Sequence, residues 1–180
     1  MPEFRLGRLR LRALRRSDAE DMFEYSKDPK VTSHLLWDPH PDLRYTSNYL
    51  KYVDSQYRKH RFYEWAVVWE ETGKMIGTCG FNYFDRQNSR AEIGYVINPV
   101  FWNRGVATEA VSFILRIGFD KLGLNRIEAR HMVGNDASRR VMEKNHMTFE
   151  GIMRSAVSVR EVFRDVAVFS ILRHDYYQFY

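Results

Sequence analysis

Between Tyr63 and Gly123 the chain changes once from strand-forming to helix-forming sequence, and this change constrains the fold more than any other feature. Residues 63–70 are rich in aromatic and β-branched side chains. Glu71-Thr72-Gly73-Lys74 is a turn, and 75–84 is a second strand. Asp85-Arg86-Gln87-Asn88 turns the chain into a third, 90–98, so the three read as an antiparallel meander. After Pro99 a glycine-containing turn leads to Val106, Ala110, Phe113, Ile114 and Ile117, which share one face of a helix. Gly123 supplies the stop.

The flanks extend this pattern. Leu9, Leu11 and Ala13 alternate with Arg8, Arg10 and Arg12, as in a strand with one solvated face. Ser17-Asp18-Ala19-Glu20 has the form of a capping box, with Ser17 as N-cap of a helix that ends near Lys27 before Asp28-Pro29. Residues 31–44, with Trp37-Asp38-Pro39-His40-Pro41, read as a loop, and 43–60 as a second helix. Beyond the central helix, 126–132 is a strand, 136–144 a helix, and 148–153 and 162–172 are strands. The order β-α-α-β-β-β-α-β-α-β-β predicts an α/β class: a mixed, mostly antiparallel twisted sheet with helices on both faces. No repeat or linker interrupts the chain, so residues 1–180 are expected to form a single domain.

Composition removes several function classes. With 180 residues, 44 % of them apolar, the chain can bury a substantial core. No apolar run approaches the ~20 residues that cross a bilayer. Met1-Pro2-Glu3-Phe4-Arg5 has no signal-peptide character. The single cysteine, Cys79, excludes an intramolecular disulfide, and none of the six histidines has metal-ligand spacing, so no metal is expected. A cytoplasmic protein, monomeric or homodimeric, fits. The net charge of +5 suits a nucleic acid, a phosphorylated cofactor or an acidic protein surface. The longest basic stretch, 5–16, alternates with leucines and reads as a solvated strand face; an RNA-binding stripe would interleave aromatics.

The segment richest in chemical information is Glu92-Ile93-Gly94-Tyr95-Val96-Ile97 followed by Trp102-Asn103-Arg104-Gly105-Val106-Ala107-Thr108-Glu109-Ala110. Backbone N–H groups at a helix start lack intrahelical partners and carry the positive end of the helix dipole. Small residues at 105 and 107 let a phosphate approach them. A glycine beside an ordinary helix start is the plainer reading. The turn matches neither the Gly-Lys-Ser/Thr loop nor the three-glycine dinucleotide pattern.

This segment resembles the Q/R-x-x-G-x-G/A motif of GCN5-related (GNAT) N-acetyltransferases. The branch it is most similar to is the RimJ/RimL type, which acetylates ribosomal-protein N-termini. Glu92-Ile93-Gly94-Tyr95 resembles the strand before that motif, and Asn135-Asp136-Ala137-Ser138 with Glu143-Lys144 resembles a second motif. The resemblance implies a GNAT fold with acetyl-CoA held between two diverging parallel strands. Tyr95, Val96 and Ile97 would meet the pantetheine arm through their backbone, and Trp102, Asn103, Arg104, Gly105, Val106, Ala107 and Thr108 would surround the pyrophosphate. Asn135 would bond the pantetheine; as the first residue of a helix-start sequence it also reads as an N-cap. One departure stands out. Relatives place glycine and an aromatic where this chain has His146 and Met147, and Asn145 could supply the left-handed residue instead.

Acetyl transfer to an amine needs a neutral nucleophile, a stabilised oxyanion and a protonated leaving thiolate. Glu92 is the candidate general base, acting through a water, or else an exposed strand carboxylate. Ser138 is the candidate acid by resemblance and a possible cofactor contact, or else an ordinary first-turn residue. Tyr83 and Tyr95 are alternative donors, and a backbone N–H near Val96 or Ile97 would serve the oxyanion. Trp37, His40 and Tyr83 are candidate acceptor contacts, with a packed aromatic lid as the plainer reading. An α-amine, with a pKa near ~7.8, costs about 3.5 kcal/mol less to deprotonate than a lysine near ~10.4, so a protein N-terminus is the leading acceptor. Aminoglycosides, polyamines or amino acids come second. A non-catalytic acyl-CoA-binding module and an RNA-binding protein are the alternatives from other classes.

Overall fold

Gly7, at φ +51°, bends the first residues into a hairpin, so that β1 (Phe4–Leu6) pairs antiparallel with β2 (Leu9–Arg12). The computed structural model describes residues 1–59 and 63–179. Three helices follow, α1 (Ala19–Ser26), α2 (Pro29–Thr32) and α3 (Leu43–Arg58), and then the meander β3 (Tyr63–Trp69), β4 (Met75–Asp85) and β5 (Arg90–Ile97). The chain continues through α4 (Val106–Arg116), β6 (Arg126–Met132), α5 (Asp136–Lys144), β7 (Thr148–Val159), β8 (Val162–Leu172) and α6 (Arg173–Phe179). Among the described residues, eight strands lie in the order β1-β2-β3-β4-β5-β6-β8-β7. β5 and β6 are parallel, whereas β1/β2, β2/β3, β6/β8 and β7/β8 are antiparallel, which makes the sheet mixed.

The residues form two compact units, Met1–Gly80 with Tyr95–Ala110, and Phe81–Gly94 with Val111–Tyr180. In the first, Leu9 and Leu11 of β2 are fully buried, and Met22 and Tyr25 of α1 pack with Leu50 and Val53 of α3 and with Ala66 and Val68 of β3. In the second, β6 pairs with both β5 and β8 and is buried at Ile127 and Ala129. A π-helical turn, Ile117–Lys121, extends α4, and a Cβ on its Gly118 would stand 2.5 Å from Ile127 Cδ1. Glycine is what lets that turn close on β6.

Several expectations need correction. The solvated strand face fails at Arg12, which is buried and grips Asp18 with both terminal guanidinium nitrogens, at 2.8 and 2.7 Å. That pair overrides the Ser17 capping box. Asp18 accepts from the Arg15 backbone N–H at 2.7 Å and becomes the N-cap residue, while Ser17 lies inside a 3₁₀ turn, Arg16–Asp18. A short helix not expected from the sequence, α2, starts at Pro29 with Asp28 capping the Lys30 N–H and takes in the first two residues, Val31 and Thr32, of the stretch expected to be a loop. The expected end of the second helix at His60 lies outside the described residues. β7 runs past the expected end at Met153 to Val159, with a register shift between Met153 and Val157. There Asp165 accepts from the N–H of Ser155, a residue at φ +48°. β1 and α6 were not legible as elements.

The buried Arg12–Asp18 pair yields a stability prediction. Asp18→Ala leaves a buried guanidinium uncompensated and is expected to lower the unfolding free energy by about 3–5 kcal/mol, measured by urea denaturation.

Candidate functional site

In the first unit, β5 ends in a turn fixed by side chains. The Asn98 carboxamide accepts from the Val100 N–H at 3.0 Å and donates to Glu24 at 2.9 Å, and the Asn98 N–H donates to the Ile76 carbonyl at 2.8 Å. Lys74 and Asn98 together hold the Glu24 carboxyl below the usual range. Trp102 donates its indole N–H to the Ile97 carbonyl at 2.6 Å, clamping the strand end to the turn. Asn103 (φ +57°) and Gly105 (φ +76°) are both left-handed, with Arg104 between them, and α4 begins at Val106. Alternating backbone handedness turns successive N–H groups to one side, which makes an anion-binding concavity. The helix start adds its own positive end.

Arg8, which the sequence reading assigned to a solvated strand face, secures this turn. Its Nη2 donates to the Arg104 carbonyl at 2.6 Å and its Nε to Glu109 at 2.9 Å. It also lies over Trp69, which packs on Phe101, and Arg104 covers Phe101 in turn. Pairing with Arg8 offsets the Glu109 carboxylate, which would otherwise repel an anion at the first turn. A Cβ on Gly105 would meet only Arg8 Nη2, at 3.5 Å, so the backbone there is open to a bulky ligand. The turn fits a diphosphate.

The candidate acceptor residues of this unit form a packed aromatic group. Trp37 stands 5.3 Å from His40, which lies 4.8 Å from Tyr45 and 6.1 Å from Tyr49. His40 Nδ1 is 2.8 Å from the Thr46 hydroxyl, and burial pushes its pKa down. Trp37 packs on the core of this unit. Sequence reading missed Glu64, at the start of β3. Its carboxyl is hydrogen-bonded to Thr78, and burial raises it to about 7. A carboxyl raised on folding stabilises the native state fully below its unfolded pKa and loses that contribution as pH rises through the folded value. Glu64→Gln is therefore expected to remove about 2–3 kcal/mol of stability loss between roughly pH 4.5 and 7, read from urea melts across that interval.

The second unit carries a shallow charged groove lined by Tyr83, Arg90, Ala91, Glu92, Glu128 and Arg130. Glu92 is half-buried and sits opposite Glu128 in the parallel register of β5 and β6, which extends from Arg90↔Arg126 to Ile93↔Ala129. Burial pushes the Glu92 carboxyl up; Arg130, at 3.1 Å, pulls it down and Glu128 pushes it up again. Tyr83 is exposed at the same groove. Asn135 caps α5, accepting from the Ser138 N–H at 3.2 Å, so its carboxamide nitrogen is not used by the cap, and the Ser138 side chain is half-buried. The left-handed residue after α5 is His146 (φ +56°), not Asn145 (φ −97°). Asn145 is fully buried and donates to the Val141 carbonyl at 2.8 Å, while His146 stacks on Phe179 at 4.2 Å. Among the described residues, no cluster of His, Cys, Asp or Glu could hold a metal, and no helix is long and apolar enough to cross a membrane.

Known proteins resemble this chain in sequence and fold. Residues 8–148 match the family model described as an acetyltransferase (GNAT) domain. The chain is 33 % identical over 169 residues to the uncharacterized N-acetyltransferase p20 of Bacillus licheniformis, spanning 94 % of this chain and 95 % of that one. It is 25 % identical over 97 residues, 54 % of each chain, to the ribosomal-protein-serine acetyltransferase of Escherichia coli. Among solved structures, a GNAT-family acetyltransferase from Bacillus anthracis superposes with a TM-score of 0.85 at 26 % identity, over 96 % of this chain and 99 % of that one.

Proposed function

Because the chain belongs to the GNAT acetyltransferase family, we propose that it binds acetyl-CoA at residues 102–108 and acetylates the α-amine of a protein N-terminus. The left-handed pair Asn103 and Gly105 at the start of α4 is the observation that carries this reading. Acetyl-CoA brings an acyl group already activated as a thioester. The protein's part is to hold it and to manage protons. Backbone N–H groups of Arg104, Gly105, Val106, Ala107 and Thr108 grip the diphosphate, with Trp102 and Asn103 shaping the turn. Tyr95, Val96 and Ile97, past the end of the registered β5/β6 pairing, offer main-chain groups to the pantetheine. In the second unit, the Asn135 carboxamide oxygen caps α5, which keeps its N–H group for a ligand carbonyl of the pantetheine.

Glu92 takes the proton from the acceptor ammonium through a water, and Ser138 offers its hydroxyl proton to the departing sulfur. Trp37, His40 and Tyr83 are the acceptor contacts. One half-buried carboxylate suits an α-amine better than a lysine, whose deprotonation costs about 3.5 kcal/mol more at neutral pH. The ribosomal-protein relative supports the same acceptor class. Purified protein supplied with acetyl-CoA and a panel of N-terminal peptides and small amines tests the reading. Mass spectrometry is expected to find acetyl on peptide α-amines; turnover confined to polyamines, aminoglycosides or amino acids would overturn the acceptor class.

A further inference from the structure

Two carboxylates stand side by side in the second unit, and one guanidinium joins them. Glu92 and Glu128 occupy opposed register positions on β5 and β6. Arg130, two residues farther along β6, lies on the same face. Its Nε is 3.1 Å from Glu92 Oε2 and its Nη2 is 3.4 Å from Glu128 Oε2. Glu128 is anchored by Arg126 at 2.8 Å and by Arg90 at 3.6 Å, while Arg90 also holds Asp85 of β4 at 3.0 Å. Arg126 also reaches Glu150 of β7 at 2.8 Å and the Ser170 hydroxyl of β8 at 3.0 Å. The titratable and charged groups lining the groove around Glu92 are Tyr83 from β4, Arg90 from its own strand, and Glu128 and Arg130 from β6.

We propose that Arg130 is a positioning residue for acetyl transfer: anchored by Glu128, its guanidinium holds the Glu92 carboxylate in one orientation on the groove wall. The proposal rests on the reading of Glu92 as base. A planar fork bonds two carboxylates at once, which a lysine ammonium does with poorer geometry. The arrangement also settles the charge balance. Adjacent carboxylates resist joint ionisation, and a cation between them relieves that resistance. In the transfer, Glu92 receives one proton from the acceptor ammonium, and the freed electron pair on nitrogen forms the new N–C bond as the thioester C–S bond breaks; the departing sulfur takes the Ser138 hydroxyl proton, the nitrogen's second proton replaces it on Ser138, and Arg130 stays protonated throughout.

The test uses the full chain with Glu92→Gln, Arg130→Gln and Arg130→Lys. It follows the pH profile of kcat/KM and, independently, the ¹³C NMR titration of the Glu92 carboxyl. Arg130→Gln is expected to move both the acid limb and the titration up by about one pH unit. At pH 7 its kcat/KM should fall about tenfold with unchanged acetyl-CoA affinity, and Arg130→Lys should recover part of the loss. If Glu92→Gln abolishes the limb but Arg130→Gln leaves limb and titration in place, the role of Arg130 is overturned while Glu92 stands. If the titration moves and the rate limb does not, Glu92 is not the base and both readings fall.

Discussion

Gly105→Glu is expected to weaken coenzyme A binding at least ~100-fold, measured by calorimetry, without unfolding the protein. Two effects combine. Gly105 is at φ +76°, where a side chain costs roughly 1–2 kcal/mol of backbone strain. The larger effect is the new carboxylate, set among the N–H groups assigned to the diphosphate, where it competes for them and repels the ligand. Arg8 is already committed to Glu109 and to the Arg104 carbonyl, so it has little capacity to neutralise the newcomer. The nearest neighbour of the added Cβ, at 3.5 Å, leaves room for it. Gly105→Ala carries the strain without the charge and should lose about tenfold. An unchanged Kd in Gly105→Glu would detach the diphosphate from this turn.

Glu92→Gln is expected to lower kcat/KM at pH 7 by about 10²–10³ while the affinity for acetyl-CoA stays as it is. A glutamine preserves the volume and still accepts from Arg130, so the loss reports proton transfer alone. The pH profile fixes the sign. A base works in its deprotonated form, and burial raises the Glu92 carboxyl, so wild-type activity should fall as pH drops through a value above the ordinary glutamate range. The variant should show no such limb.

The parts of the fold that were legible are those where a local pattern meets no competing tertiary contact. The helical face of Val106, Ala110, Phe113, Ile114 and Ile117 is buried throughout, and β6, α5 and β8 begin and end where the sequence reading set them. Asn135 caps α5 as its helix-start sequence implies. The failures have a common cause. A capping pattern at Ser17 lost to a buried ion pair between Arg12 and Asp18, and arginine alternation concealed that one member points inward. Asn145 looked suited to the left-handed position, yet its side chain is needed by the Val141 carbonyl, so His146 takes that conformation instead.

The candidate site divides in the same way. The phosphate turn is a contiguous string with glycine at its centre, so it could be read directly. Arg8 reaches it from 96 and 101 residues away, and no local pattern announces that contact. Arg130 gains its meaning only from the register that sets Glu128 beside Glu92. Glu64 lies in a strand-forming run whose period gives no sign that its carboxyl is buried beside Thr78.

A crystal structure of the chain with coenzyme A tests the central claim most directly. The account predicts both phosphorus atoms of the diphosphate within hydrogen-bonding reach of main-chain nitrogens between residues 104 and 108, with Arg8 still gripping Glu109. Clear density for the diphosphate at any other part of the molecule would contradict it.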